Sequence, residues 1–510
     1  MITTLPLTSI PLSPLVQTAV HEQTITHIER AHVAVSQRLQ TGIPRPRLQE
    51  LLRQSLHTVT LSDAQEQNLA VLRENTSGIA ICGQQVGPLG GPLYTVLKIA
   101  STVQAARDLT EKLHSPVVPV FWLEDNDHDA EEASTTWLAR PDGTAERQRH
   151  WDGSDPRKRV GDRTLSAHDV QVISAMIDAV DGKFADQERT RLQAAYVEGR
   201  SWAEAFLDIL HPFLSAWGVL VVRASQVIAS GMHGPLIERL LEQHEAVHQA
   251  LTSSTERLLH QGFQAQAAIP PVPLFELDTT GRQRVSDPES ALLRARSHPE
   301  RFTPHALSRP LMQDALLPTL ATILGPGEIA YHAQLHDLYA LMGVSRPAVL
   351  LRHMAVLIDP RAQRHLQHLT QPVSWFFRAW HDVEADVTAQ LTTGHLPELP
   401  DVPALLASWR SAAASIDPTL LGSVGAAEKS VQSAMEALAG KFRGALRKQQ
   451  SITLDRYRAV WWSVYPHGTP SDRMYPLAHW IGRLGIETLI EELPKIAAQP
   501  RDQITVWSAA

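Results

Sequence analysis

Apolar positions change period several times along the chain, and each change marks an element. Behind a leader broken by Pro6, Pro11 and Pro14, Val16, Val20, Ile25 and Ile28 recur near helical spacing, and Leu48, Leu51, Leu52 and Leu56 open a second helical face. Residues 1–75 are therefore expected to form a helical N-terminal layer. The period then shortens. Gly78 to Cys82 is a continuous apolar run ending at Gly83, which predicts a buried strand entering a tight turn. From Pro92 the helical stripe returns through Leu93, Val96, Leu97, Ala100, Val103 and Ala106, and Pro116 to Leu123 reads as a second buried strand. Strand, glycine-rich turn, helix and strand make a βαβ crossover, expected to be parallel and right-handed. An amphipathic helix marked by Trp202, Phe206, Ile209 and Phe213 leads to a further strand at Val219 to Val222. This alternation predicts an α/β fold with a doubly wound core over residues 76–360.

From about Pro360 the strand signals disappear. Two helical tracts flank a connection containing Pro397, Pro400 and Pro403. Phe376, Trp380, Val383 and Val387 mark the first. In the second, Val431, Met435, Leu438, Phe442, Ala445, Gln449 and Ile452 alternate spacings of four and three, the pattern of a coiled-coil seam with one polar member. Joined by a turn, the tracts predict an α-helical antiparallel arm over 361–462, with Asp417 before Pro418 as a helix start between them. Residues 463–510 follow as a C-terminal segment.

Composition narrows the class without naming a reaction. The 510 residues are 43% apolar and 20% charged, ordinary values for a globular chain. A formal charge of −8 gives no reason to propose a nucleic-acid or acidic-membrane partner. The single cysteine, Cys82, excludes an intramolecular disulfide and a Cys-rich zinc site and fits a reducing, cytoplasmic setting. No Lys or Arg precedes Arg30, so a secretory pattern is missing, and no apolar run approaches the roughly 18 residues of a membrane span.

Three stretches could carry chemistry. The first is Gly83, Gln84, Gln85, Val86, Gly87, Pro88, Leu89, Gly90, Gly91, with Tyr94, Thr95 and Lys98 on the following helix. Glycines between a strand and a helix let backbone approach an anion, and Lys98 could reach it; a structural tight turn and a solvated lysine are the alternatives. The second is Glu124, Asp125, Asn126, Asp127, His128 and Asp129 at the next strand's carboxyl end, able to orient an imidazole for acid/base work or to hold a hydrated Mg²⁺, or else an acidic loop that caps a helix. The third holds Arg309, Gln313 and Asp314, then Tyr331 and Gln334, where a pocket and ordinary capped loops fit equally well. Cys82 reads as an inert core thiol.

At these residues the sequence resembles the bacillithiol-biosynthesis cysteine-adding enzymes, the BshC cysteine ligases. The resemblance covers most of the chain. It rests on Gly83-Gln84-Gln85 with Gly87, Gly91-Pro92-Leu93-Tyr94-Thr95 through Lys98, and Pro119-Val120-Phe121-Trp122 leading to Asp127-His128-Asp129. Arg309-Pro310, Gln313-Asp314, Leu317-Pro318-Thr319 and Gly325-Pro326 with Glu328-Ile329-Ala330-Tyr331 and Ala333-Gln334-Leu335 follow in order, and Arg473 belongs to a matching C-terminal stretch. The resemblance implies a Rossmann-like core with inserted connecting segments, a homodimer made through a coiled-coil arm, and a C-terminal segment, residues 463–510, that returns to the core. It also implies a ligase that adds L-cysteine to the amine of glucosaminyl-malate, with a nucleotide, ATP (ADP), activating the carboxyl and Mg²⁺ accompanying the nucleotide. Asp127, His128 and Asp129 become the implied catalytic centre, and the glycine turn, Lys98, the Arg309–Gln334 group and Arg473 the implied substrate and nucleotide contacts. The family usually has Thr at the positions of Cys82 and Gly90, Glu at Asn126 and Asn at Pro476. An ATP-dependent ligase or nucleotidyltransferase using another amino acid or amine, and a nonenzymatic coiled-coil adaptor, are the competing readings.

Overall fold

The structure is a computed structural model that describes residues 2–13, 15–16, 42–140, 144–278, 281–392, 398–449 and 451–508. Val20, Ile25, Ile28 and Pro397 lie outside the described residues. The chain forms two units, one of residues 1–360 with 470–510 and one of residues 361–469.

Five parallel strands make the central sheet of the first unit: β1 (Gly78–Gln85), β2 (Val117–Glu124), β3 (Leu220–Arg223), β4 (Thr319–Leu324) and β5 (Ala348–Leu351). Their order is β5-β4-β1-β2-β3, every neighbouring pair parallel. The predicted strand at Val219 to Val222 forms one residue later. Because both faces are covered, β1 and β2 read as unbroken apolar runs. Alternate side chains still part company: Ala80 and Cys82 enter one core layer with Phe121 and Leu123, while Ile79 and Ile81 enter the other with Val120 and Trp122. Helix α1 (Tyr94–Leu113) buries Val96, Leu97, Ala100 and Val103, the stripe expected from the sequence.

The sheet grows from β1 to β2 and β3 on one side and to β4 and β5 on the other. The crevice between β1 and β4 is therefore the topological switch point, where α/β folds bind ligands beyond the strands' carboxyl ends. Two inserts stand near those ends: the hairpin Thr135–Ala139 with Ala145–Arg149, and the three-stranded sheet of Leu274–Asp278, Gly281–Arg284 and Phe302–Pro304.

A second sheet corrects the expectation of a purely helical N-terminal layer and of a C-terminal part without strands. Ile2–Pro6 pairs antiparallel with Gln503–Ser508, which pairs parallel with Met354–Ile358. Pro6 ends an edge strand, where its missing N–H costs no ladder bond. Helices Arg45–Ser55 and Asp63–Val71 do form in the N-terminal part, the second behind a Ser62 cap.

In the second unit, helices Trp380–Thr392, Ala407–Ile416, Leu421–Gln449 and Ser451–Val464 carry the arm. Asp417 accepts the Thr419 N–H at 2.9 Å and starts the turn into the long helix. Val383 and Val387 of the first tract are buried, and Phe376 packs beside Tyr457 and Trp375. The second tract differs, since Leu438 and Phe442 are 48% and 53% exposed within one chain. No helix among the described residues is long and apolar enough to cross a membrane.

Candidate active site

At the switch point Lys98 projects from α1 beneath the end of β1. Its ammonium donates to the Gly83 carbonyl at 2.9 Å, to Gln84 Oε1 at 3.3 Å and to Glu328 Oε2 at 2.7 Å. An ammonium has three donors, and all three are used. The side chain is 2% exposed, so Glu328 supplies the counter-charge that burial demands. Glu328 also accepts the Gly325 N–H at 2.6 Å, which ties the turn after β4 to the turn after β1. Lys98 is thus an internal brace rather than a hand extended to a ligand.

The glycine turn is equally committed. Leu89, Gly90 and Gly91 take φ of 54°, 85° and 65°. The Leu89 N–H donates to the Tyr196 hydroxyl at 2.6 Å, Gly91 N–H to the Pro88 carbonyl at 3.0 Å and Leu93 N–H to the Tyr475 carbonyl at 3.1 Å. The N–H groups expected to face an anion at these three residues are spent inside the protein. A Cβ on Gly90 would lie 2.9 Å from Ile209 Cγ2 and 3.0 Å from Leu477 Cβ, so packing in this chain and the positive φ both call for glycine there. A Cβ on Gly87 would lie 3.0 Å from the Gly91 Cα, which shows how tightly the turn folds on itself. Thr95 is fully buried with its hydroxyl unpartnered. Burial pushes the Cys82 thiol up to about 12, as expected of an inert core cysteine.

The acidic stretch after β2 divides by role. Asp125 is fully buried and accepts from Arg223 Nε at 2.7 Å and from the Ser225 N–H and hydroxyl at 2.8 and 2.6 Å, so it holds the loop together. Asn126 accepts from Arg159 at 3.4 Å. Asp127 accepts from Gln85 Nε2 at 2.6 Å and from the His128 N–H at 2.6 Å. His128 keeps both ring nitrogens out of solvent and unpartnered. Burial, reinforced by the charges of Arg282 and Arg159, lowers its pKa to about 4, so the imidazole is neutral at physiological pH. Asp129 is exposed and caps the short helix Ala130–Ala133 through the Glu132 N–H at 2.8 Å.

Glu124 connects this centre with the third stretch. It accepts from Trp122 Nε1 at 2.9 Å and faces Arg309 at 3.8 Å, and burial raises its pKa to about 7. Arg309 also hydrogen-bonds Tyr331 and, at 3.4 Å, Gln313. Gln313 donates to Asp314 at 3.1 Å, and Asp314 accepts the Tyr339 hydroxyl at 2.6 Å. Gln334 stands apart. It is fully buried, and its amide is consumed by Thr255 Oγ1 at 3.1 Å and by the Ala267 carbonyl and N–H, both at 3.0 Å.

Beside the strand ends lies an open cleft of about 490 Å³, lined by Gly91, Tyr94, Asp129, Glu132, Arg147 and Arg473 among others. It brings four sequence-identified residues, Gly91, Tyr94, Asp129 and Arg473, to one cavity. Arg473 arrives on the turn Ser471–Met474, which is anchored by the buried pair Arg352–Asp472 at 2.9 Å. The Arg352 guanidinium also covers the Tyr94 ring, 5.0 Å from its centroid. Sequence reading did not single out Glu328, Arg282, Arg352 or Asp472 as site residues. Glu328 stands within a matching stretch, but its pairing with Lys98 spans 230 residues.

Family models match the whole arrangement. The model described as bacillithiol biosynthesis BshC, N-terminal Rossmann-like domain, matches residues 17–353, and the BshC C-terminal coiled-coil domain model matches residues 355–504. Relatives named "Putative cysteine ligase BshC" include those of Geobacillus thermodenitrificans, 28% identical over 86% of this chain and 85% of the relative, and Salinibacter ruber, 27% identical over 83% and 81%. The Staphylococcus aureus (strain MRSA252) relative is 29% identical over 64% of each chain. With its Rossmann-like core and its helical arm both matched, the chain belongs to the bacillithiol biosynthesis BshC family.

Proposed function

We propose that the chain is a cysteine ligase that joins the carboxyl group of L-cysteine to the free amine of glucosaminyl-malate, the last step of bacillithiol synthesis. The observation that carries this reading is the family match over both domains. The centre after β2 is chemically suited to it: a neutral imidazole beside an aspartate can take the proton that an attacking amine loses as the C–N bond forms. A free carboxylate does not form an amide until its oxygen has become a leaving group, so we assign the activation to ATP. A Mg²⁺ that travels with a nucleotide takes most of its ligands from phosphates and water, and we assign Asp129 or Glu132 of the cleft as the protein carboxylate that joins them. The exposed seam of Leu438 and Phe442 supports a homodimer made through the arm.

The test is mass spectrometry of products from the purified chain with glucosaminyl-malate and cysteine, with and without ATP and Mg²⁺. The cysteinyl amide is expected only with ATP, and serine or alanine should give far less product. Folded protein that yields no amide under any of these conditions would remove the reading.

A further inference from the structure

The insert strand Gly281–Arg284 pairs with Leu274–Asp278 and carries Arg282 to the Asp127–His128 centre. Its guanidinium lies over the Phe275 ring, 4.4 Å from the centroid, and His305 packs against the same ring at 5.7 Å. Stacking of this kind fixes the direction of a guanidinium without using its N–H donors. Among the described residues the Arg282 guanidinium makes no hydrogen bond; it forms only a long ion pair with Asp127, whose Oδ1 is 3.7 Å from Nη1. The side chain is 29% exposed, so part of the guanidinium stays open to a ligand beside its ion pair with Asp127.

His128 shares the deficit, with Nδ1 and Nε2 both buried and unpartnered. Asp127 does not relieve it in this arrangement: its Oδ2 accepts from Gln85 and its Oδ1 from the His128 N–H, and neither oxygen reaches the imidazole nitrogens. The centre therefore holds guanidinium donors and an imidazole N–H that lack hydrogen-bond partners, with Asp127 at 3.7 Å and Asp162, Asp129 and Glu132 in its electrostatic surroundings. An acceptor with several oxygens would meet these donors together.

We propose that Arg282 is a specificity-determining residue that receives an oxyanion of the substrate, a carboxylate or a phosphate, at the Asp127–His128 centre. Two sources share this chemistry, the malate carboxylates of the amine substrate and the phosphate tail of a nucleotide. Assigning the anion to the ligase reaction rests on the function proposed above; the anion site itself does not.

Calorimetry on the full chain tests the site with L-malate and with pyrophosphate as separate probes. One of the two should bind the wild type and bind Arg282→Gln at least tenfold more weakly, with Arg282→Lys recovering part of the loss. Preference for malate assigns the site to the amine substrate, and preference for pyrophosphate to the nucleotide. Equal affinity of wild type and Arg282→Gln for both probes, or binding of neither to the wild type, overturns the proposal. Kinetics gives the second reading. Arg282→Gln should raise KM for glucosaminyl-malate, or for ATP in the phosphate case, tenfold or more with kcat held within about twofold. An equal fall in kcat for glucosaminyl-malate and for unsubstituted glucosamine, with KM unmoved, would reduce Arg282 to a structural role. Should the wild type form no amide at all, the ligase reading fails while calorimetry still decides the anion site.

Discussion

Arg352 and Asp472 form an ion pair at 2.9 Å in which the two side chains are 2% and 1% exposed, and the pair fastens the turn bearing Arg473 to the end of β5. Such a pair adds little net stability when intact but is costly to break, because the remaining charge is stranded in the interior. Asp472→Ala should therefore lower unfolding stability by about 3–5 kcal/mol in urea titrations. A loss under about 1 kcal/mol, the range of solvated pairs, would mean that water reaches Arg352.

Glu124 should give the stability curve a specific slope. Burial lifts its pKa from 4.5 to about 7, so the folded chain holds a proton there that the unfolded chain releases. Stability from this group is complete below about pH 4.5 and is lost as pH rises towards 7. Glu124→Gln should flatten that part of the profile, read as the urea midpoint at half-unit pH steps. An unchanged slope would place the titration elsewhere.

The opposite sign holds for His128. With its pKa lowered to about 4, the folded state resists protonation, and stability from this group is lost as pH falls below about 6.5 towards 4. Above pH 5 the ring is ready to accept a proton. His128→Ala should lower kcat by about 100-fold or more with the circular dichroism spectrum unchanged. Full turnover in that variant would remove His128 from the mechanism.

Leu438 and Phe442 test the arm. Replacing both with Glu should halve the mass seen by light scattering if their seam joins two chains. Unchanged mass would show that these residues do not hold two chains together.

The sequence exposes what depends on local pattern. Buried strands such as β1 and β2 announce themselves as short apolar runs, α1 as a stripe, and the turns between them as glycine or clustered polar residues. Asp127, His128 and Gln85 were legible for the same reason, since they stand at strand ends. Pairings across the chain leave no such trace. Lys98 carries no mark of Glu328, and Arg282 looks like any exposed charge on a hairpin until that hairpin is seen beside β2. Gln334 gave no sign of its bracing role because a buried amide tying a helix to a loop has the same local context as one lining a pocket. The strand Ile2–Pro6 was hidden by its proline, which an edge position tolerates.

That edge strand has a consequence for how the molecule is made. In register Ile2 sits opposite Trp507, so two segments far apart along the chain must find each other before this edge closes. Contacts of such sequence separation close late in folding, and an unpaired strand edge invites chaperones or wrong partners meanwhile. The glycine turn has the same dependence, for Leu93 and Gly91 bond to Tyr475 and Leu477, which are distant along the chain. The parallel sheet draws on nearer segments, yet the candidate site is complete only once the distant Tyr475–Leu477 segment has docked on the glycine turn.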